Sequence, residues 1–189
     1  VFYDEVDSTN NVAKQAAEDG EESGTLFVTE HQTAGRGRRG KTWISPAGSE
    51  IFMTLLLRPE INPAAAPMLT IITAMAVAYA LNDIVKDISS NNANDMTNHV
   101  VGDISKKHVK DISNPIVKNI SKSGIPVECF IKWPNDIVIH AKKVSGILTE
   151  MSAQADYVNH VVVGIGINVH IDLFPEELQD IATSLFLEL

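Results

Sequence analysis

Val127–Met151 reads VECFIKWPNDIVIHAKKVSGILTEM, and the spacing of its apolar residues decides the fold class. Val127–Lys132 and Asp136–His140 read as a hairpin around Pro134 and Asn135, and Val144–Met151 as the strand that follows. Downstream, His160–Val169 is another strand, interrupted by Gly164 and Gly166. Upstream, Phe2–Val6, Thr25–Glu30 and Ile51–Leu57 carry the same signal. Helices are fewer. Ser8, Thr9 and Asn10 offer capping oxygens to one that runs to about Asp19 and stops at Gly20. Ile61–Asn82 carries no charge, but Pro63 and Pro67 confine its helix to Met68–Leu81. A membrane span needs about 20 apolar residues, so this reads as a helix buried under a sheet. A short helix starts at Pro175. Strands that mostly follow one another predict an α+β domain: a mixed sheet with helices packed on one face.

The 189 residues fit one domain, 1–189, and 44% hydrophobic content is enough for a core. A formal net charge of −9 argues against a chain that grips polyanions, because such binding is mostly phosphate neutralisation. Cys129 is the one cysteine, which excludes an internal disulfide. The acidic start VFYDEVDSTN has no apolar core of a signal peptide, so the expectation is a soluble, cytoplasmic protein. The chain opens on Val1 rather than Met, so it can be a piece of a longer one. Residues 85–124 divide into octads (VKDISSNN, ANDMTNHV, VGDISKKH, VKDISNPI, VKNISKSG) with an apolar residue at each fourth place. One apolar side chain per unit cannot bury a core, so the segment reads as a tandem expansion inserted in a surface connection.

Three stretches carry chemistry. In EHQTAGRGRRGKTWISP (Glu30–Pro46), Arg36, Arg38, Arg39 and Lys41 sit among glycines that let backbone approach a ligand. Alone, this fits a small-anion site, an RNA-contacting loop or a solvated basic turn. In KWPNDIVIHAKKVSGIL (Lys132–Leu148), Lys132, Asn135, Asp136 and Lys143 cluster at a hairpin mouth. They form either a polar turn or a set able to hold Mg²⁺ and triphosphate together. In VVVGIGINV (Val161–Val169), a glycine pair within an apolar strand marks a bulge or a close backbone approach. It is no dinucleotide fingerprint, since the third glycine is missing and no helix follows.

The order STN (Ser8–Asn10), HQTAGRGRRGKTW, KWPND, KKVSGIL, GIGIN resembles the catalytic domain of biotin–protein ligases, over the whole chain except the octads. The resemblance implies a fold akin to class II aminoacyl-tRNA synthetases. It also implies a two-step activity: biotin and ATP give biotinyl-5′-AMP, then a lysine of a biotin carboxyl carrier protein is biotinylated. Carried over by position, it assigns Ser8, Thr9, Asn10 and Gln32 to biotin, with Gly35 and Gly146 closing the pocket. Arg36 and Arg38 fold over biotin and the adenylate, and Lys143 contacts the biotin carboxylate and α-phosphate; these three are the expected catalytic residues. Arg38, Trp43, Lys132, Asn135, Asp136 and Asn168 serve ATP, with Trp43 near adenine and Asp136 as the Mg²⁺ ligand.

Neither the N-terminal DNA-binding domain of some family members nor the small C-terminal β-barrel of many is expected within these 189 residues. Neither nucleic acid nor membrane is an expected partner, whereas a homodimer is compatible with the sequence. A lipoate- or octanoate-transferring relative is the nearest alternative, and such transferases can use a cysteine. Cys129, inside an apolar strand, reads as core instead. A nucleic-acid module built on GRGRRG leaves KWPND and KKVSGIL unexplained.

Overall fold

The structure, a computed structural model, describes residues 1–44, 48–90 and 127–189, with the side chains of 89 and 90 excepted. Seven strands form one sheet: β1 (Phe2–Val6), β2 (Leu26–Gln32), β3 (Glu50–Leu57), β4 (Phe130–Lys132), β5 (Asp136–Ile139), β6 (Lys142–Ala153) and β7 (Val158–Asn168). Their order across the sheet is β1-β2-β3-β7-β6-β5-β4. β1 and β2 run parallel, joined through helix α1 (Thr9–Glu18), and every other pair is antiparallel. The expected mixed sheet and its strands are therefore present, with ends shifted by up to three residues, the largest shift being the start of β4 at Phe130 rather than Val127.

The central strand explains the layers. β7 is buried almost throughout because its two faces are covered by different elements. Val162 packs with Phe27, Leu56 and the α1 residues Ala13 and Ala17. Val161, Val163 and Ile167 pack with helix α2 (Pro67–Ser90) and the short C-terminal helix α3 (Leu185–Glu188). The helices thus lie on opposite faces of the sheet, not on one as the sequence suggested. The physical reason is the period of two: neighbouring residues of β7 are apolar on both faces, and each face requires its own cover.

α2 is also longer than Met68–Leu81. Ala74, Val77, Ala78, Leu81, Val85 and Ile88 recur at helical spacing and all face the core. Charged residues after Leu81 interleave on the outer side without breaking the stripe, so the first six residues of the octad segment are the end of this helix. The remainder of that segment, through 124, lies outside the described residues. Among the described residues, α2 is the one helix long and apolar enough to cross a membrane by length and composition. Its small-residue face rests on the sheet, whereas Met68, Ile72, Met75 and Tyr79 are exposed. Asn82 fastens α2 to the chain that enters β4: its Nδ2 donates to Cys129 O at 3.1 Å, and Cys129 N donates to its Oδ1 at 2.8 Å. The short helix expected from Pro175 is a single 3-10 turn, Glu176–Leu178.

Candidate active site

A cavity opens on the α1 face, over the paired strands β3, β7 and β6. Its floor is set by glycine. Gly146 pairs with Gly166, and Leu148 with Gly164. A Cβ on Gly164 would collide with Asn10 Oδ1. One on Gly166 would lie 2.9 Å from the Trp43 ring, and one on Gly146 would lie 2.7 Å from that ring and 2.8 Å from Lys143 Nζ. The glycines of GIGIN and KKVSGIL are thus there because other groups lie directly on the strands.

The start of α1 forms one wall. Thr9 N and Oγ1 both donate to Gln32 Oε1, at 2.9 and 3.2 Å. Thr54, a polar residue in the apolar strand β3, reaches Thr9 Oγ1 at 2.8 Å and Asn10 Oδ1 at 2.7 Å. Asn10 Nδ2 donates onward to Leu148 O at 3.2 Å and Glu150 Oε2 at 3.0 Å. Ser8, Thr9 and Asn10 are buried, and these bonds satisfy the polar groups of Thr9 and Asn10, which would otherwise be costly there.

The glycine–arginine loop forms the roof. Trp43 N donates to Gly35 O at 2.9 Å, which folds the loop back on itself. Arg36 Nη1 donates to Asn11 Oδ1 at 2.8 Å, and its Nη2 lies 3.1 Å from Glu150 Oε1. Arg38 Nη1 donates to Asn135 Oδ1 at 2.7 Å. Lys14 Nζ also lies 3.1 Å from Glu150 Oε1. Burial opposes ionisation of Glu150, but hydrogen bonds from Asn10 and Lys14 and the charges of Lys14 and Arg36 outweigh it and hold the carboxyl below its ordinary range.

Lys143 projects over the floor between an anion and an aromatic face: Asp136 Oδ1 is 2.7 Å from its Nζ, and the Trp43 ring centroid is 5.1 Å away. Its backbone is clamped as well, Lys143 N donating to Ile181 O and Thr183 N to Lys143 O. Trp43 Nε1 donates to Glu50 Oε2 at 3.0 Å. Burial pushes the Glu50 carboxyl up to about 8, the Trp43 hydrogen bond acting in the opposite direction. Roofed in this way the cavity keeps about 40 Å³ of free space, room for roughly three waters.

Of the residues singled out in the sequence, Ser8, Thr9, Asn10, Gln32, Arg36, Arg38, Trp43, Asn135, Lys143 and Gly146 line this cavity. Asp136 stands behind Lys143. Five do not come together with them; of these, Arg39 and Lys41 are exposed on the loop. Gly35 is buried within the fold of the loop, where its O accepts from Trp43 N. Lys132 is exposed on the edge strand β4. Asn168 is buried and turns its Nδ2 to Thr183 O at 2.9 Å and Lys143 O at 3.4 Å, so it braces the Lys143 backbone. Among the described residues no three His, Cys, Asp or Glu side chains gather as a metal site. A single carboxylate such as Asp136 suits Mg²⁺ only when substrate phosphates and water supply the other ligands. Cys129 is buried in the core beside α2, and burial pushes its thiol up to about 11. A protonated, buried thiol is not a nucleophile.

Sequence reasoning missed Glu50, Thr54 and Glu150. Thr54 and Glu50 were visible as polar residues on the same face of an apolar strand, whereas nothing local marks Glu150 as the partner of Arg36, 114 positions away.

The profile of the Biotin/lipoate A/B protein ligase family matches residues 2–168. The bifunctional ligase/repressor BirA of Bacillus spizizenii is 38% identical over 98% of this chain and 45% of its own length. The biotin–[acetyl-CoA-carboxylase] ligase of Paracoccus denitrificans is 32% identical over 86% of this chain and 51% of its own. Among solved structures, the biotin protein ligase from Aquifex aeolicus in complex with biotin and ATP superposes with a TM-score of 0.63 at 29% identity, covering 100% of this chain and 60% of that one. The chain therefore spans about half the length of the relatives it matches.

Proposed function

Because the chain belongs to the biotin/lipoate A/B protein ligase family, we propose that it activates biotin with ATP to biotinyl-5′-AMP and passes the biotinyl group to a lysine of a biotin carboxyl carrier protein. The observation that carries this reading is Lys143 Nζ, held over a glycine floor by Asp136 and Trp43 and roofed by Arg36 and Arg38. In the first step an oxygen of the biotin carboxylate bonds to the α-phosphorus, and the bond to pyrophosphate breaks. Two anions must approach each other, and charge builds on the departing group. Fixed cations aimed at that region lower the barrier. Lys143 serves as the donor shared by carboxylate and α-phosphate, and Arg38 as a second cation from the roof. Asp136 is the carboxylate that would help to hold Mg²⁺, which would supply further neutralisation of the nucleotide phosphates. In the second step the neutral amine of the acceptor lysine attacks the acyl carbon and AMP leaves, so no side-chain nucleophile is required.

The floor and the wall of polar side chains suit a ligand with an apolar body and a polar ring end. Ser8, Thr9, Asn10 and Gln32 are the donors and acceptors proposed for that end. The named relatives include biotin ligases from bacteria, and they favour biotin over lipoate. The buried, protonated Cys129 counts against a thiol-dependent octanoyl transferase. An ATP-consuming reaction on a carrier protein is proposed for the cytoplasm.

Biotin-dependent ATP–pyrophosphate exchange by the purified chain tests the proposal. Exchange should require biotin, ATP and Mg²⁺. Exchange supported by lipoate or octanoate but not by biotin would move the protein to another branch of the family.

A further inference from the structure

Trp43 lies across the glycine pair Gly146/Gly166, where no side chain interlocks with it. An indole has one polar group, its N–H, and here that group is bonded to Glu50 Oε2 at 3.0 Å. Trp43 in turn supports Lys143, whose Nζ sits 5.1 Å from the ring centroid, a separation at which an ammonium is attracted to the π face. A carboxyl is a costly choice of acceptor in this place. Glu50 Oε1 is shielded from solvent and has no hydrogen-bond partner, a state that native folds rarely tolerate without a function.

We infer that Glu50 is a positioning residue, which fixes the Trp43 ring on the glycine floor and, through that ring, the ammonium of Lys143. Glu50 opens β3 and faces Asn168 of β7 across the sheet, so it stands on the rigid part of the molecule while Trp43 belongs to the loop. The hydrogen bond is the tie between the two. Removing it frees the indole to turn about its side-chain torsions, and Lys143 then keeps Asp136 as its remaining restraint. This inference rests on the reading of the cavity as the biotin-activating site, but the position of Trp43 can be followed without any turnover.

The chain has two tryptophans, and Trp133 is exposed, so Trp133→Phe leaves Trp43 as the sole indole reporter. In that background Glu50→Ala should shift the Trp43 emission to the red and raise its quenching by acrylamide at least twofold. Glu50→Gln, whose amide oxygen still accepts the indole proton, should retain the parent spectrum. In pyrophosphate exchange, Glu50→Ala should raise half-saturating substrate concentrations about tenfold, as for one lost hydrogen bond, with the maximal rate within about threefold, and Glu50→Gln should restore them. Trp43→Phe keeps a ring and loses the donor, so in its background the Ala and Gln variants should become equivalent. If Glu50→Ala does not fold, Glu50→Met, which fills the site and lacks an acceptor, takes its place in the emission measurement and in the cycle with Trp43→Phe. Unchanged Trp43 emission in folded Glu50→Ala, or no coupling between the two positions, overturns the inference. Absence of exchange in the parent chain with the fluorescence result intact would instead overturn the proposed activity.

Discussion

Lys142 and Lys143 are chemically identical neighbours that a strand sends to opposite faces. Lys143 Nζ meets Asp136 over the cavity floor, while Lys142 Nζ donates to Gln179 O at 2.7 Å on the outside. Only the second of the pair lines the cavity. Lys143→Ala should lower biotin-dependent exchange by about 10²–10³-fold, the usual loss when one fixed donor facing developing charge is removed. Lys142→Ala should stay within about twofold, since an exposed ammonium–carbonyl bond contributes little. Similar losses at both positions, measured in the same exchange assay, would contradict the placement of Lys143. The residue scale is also where Asn168 changed meaning: its position at the end of GIGIN suggested a ligand contact, and its amide is spent on holding the Lys143 and Thr183 backbone.

Among elements, the glycine–arginine loop is the one whose behaviour the fold constrains most. From the sequence its arginines have no carboxylate partner within the loop. In the structure Arg36 finds Glu150 of β6 and Asn11 of α1, and Arg38 finds Asn135. The loop is therefore tied across the cavity at two points, to α1 and β6 through Arg36 and to the β4–β5 turn through Arg38. These ties are partly exposed, and such pairs are worth under about 1 kcal/mol each, so the loop can open. Trypsin cleavage at Arg36–Lys41 should slow when biotin and ATP are added. Glu150→Ala should speed cleavage of the free protein up to about fivefold, the limit set by one exposed pair. A cleavage rate indifferent to both ligand and Glu150 would rule out a loop that closes over the site by these contacts.

For the molecule as a whole, the long connection between α2 and β4 poses the main architectural question. Residues 91–126 lie outside the described structure, but both of their anchor points are inside it. Val85 and Ile88 fasten the end of α2 into the core, and Asn82 pins the backbone of Cys129 from the other side. The fold thus holds the two ends together without help from the connection. Loop-closure entropy changes by only about 0.6 kcal/mol per doubling of length. Replacing 91–126 by a short Gly/Ser linker should leave the melting temperature within a few degrees and biotin-dependent exchange within about threefold. A folded deletion protein that has lost exchange would place this segment in the active site.

The sequence by itself determined the strands, the first helix, the mixed sheet and the identity of most cavity residues. Those features rest on local alternation, capping and glycine placement, which adjoining residues express without help from distant ones. It also led to the family, through short motifs whose order along the chain is specific. Tertiary structure alone decided what depends on distant partners. It divided the helices between two faces, because β7 is apolar on both sides. It extended α2 through Val85 and Ile88, because core contact on one face outweighed the charges on the other. It took Lys132, Gly35 and Asn168 out of the cavity lining and set Glu50, Thr54 and Glu150 behind it, as partners of Trp43, Thr9, Asn10 and Arg36. A side chain's destination depends on which face of which strand it occupies and on what packs there, and spacing along the chain does not contain that information.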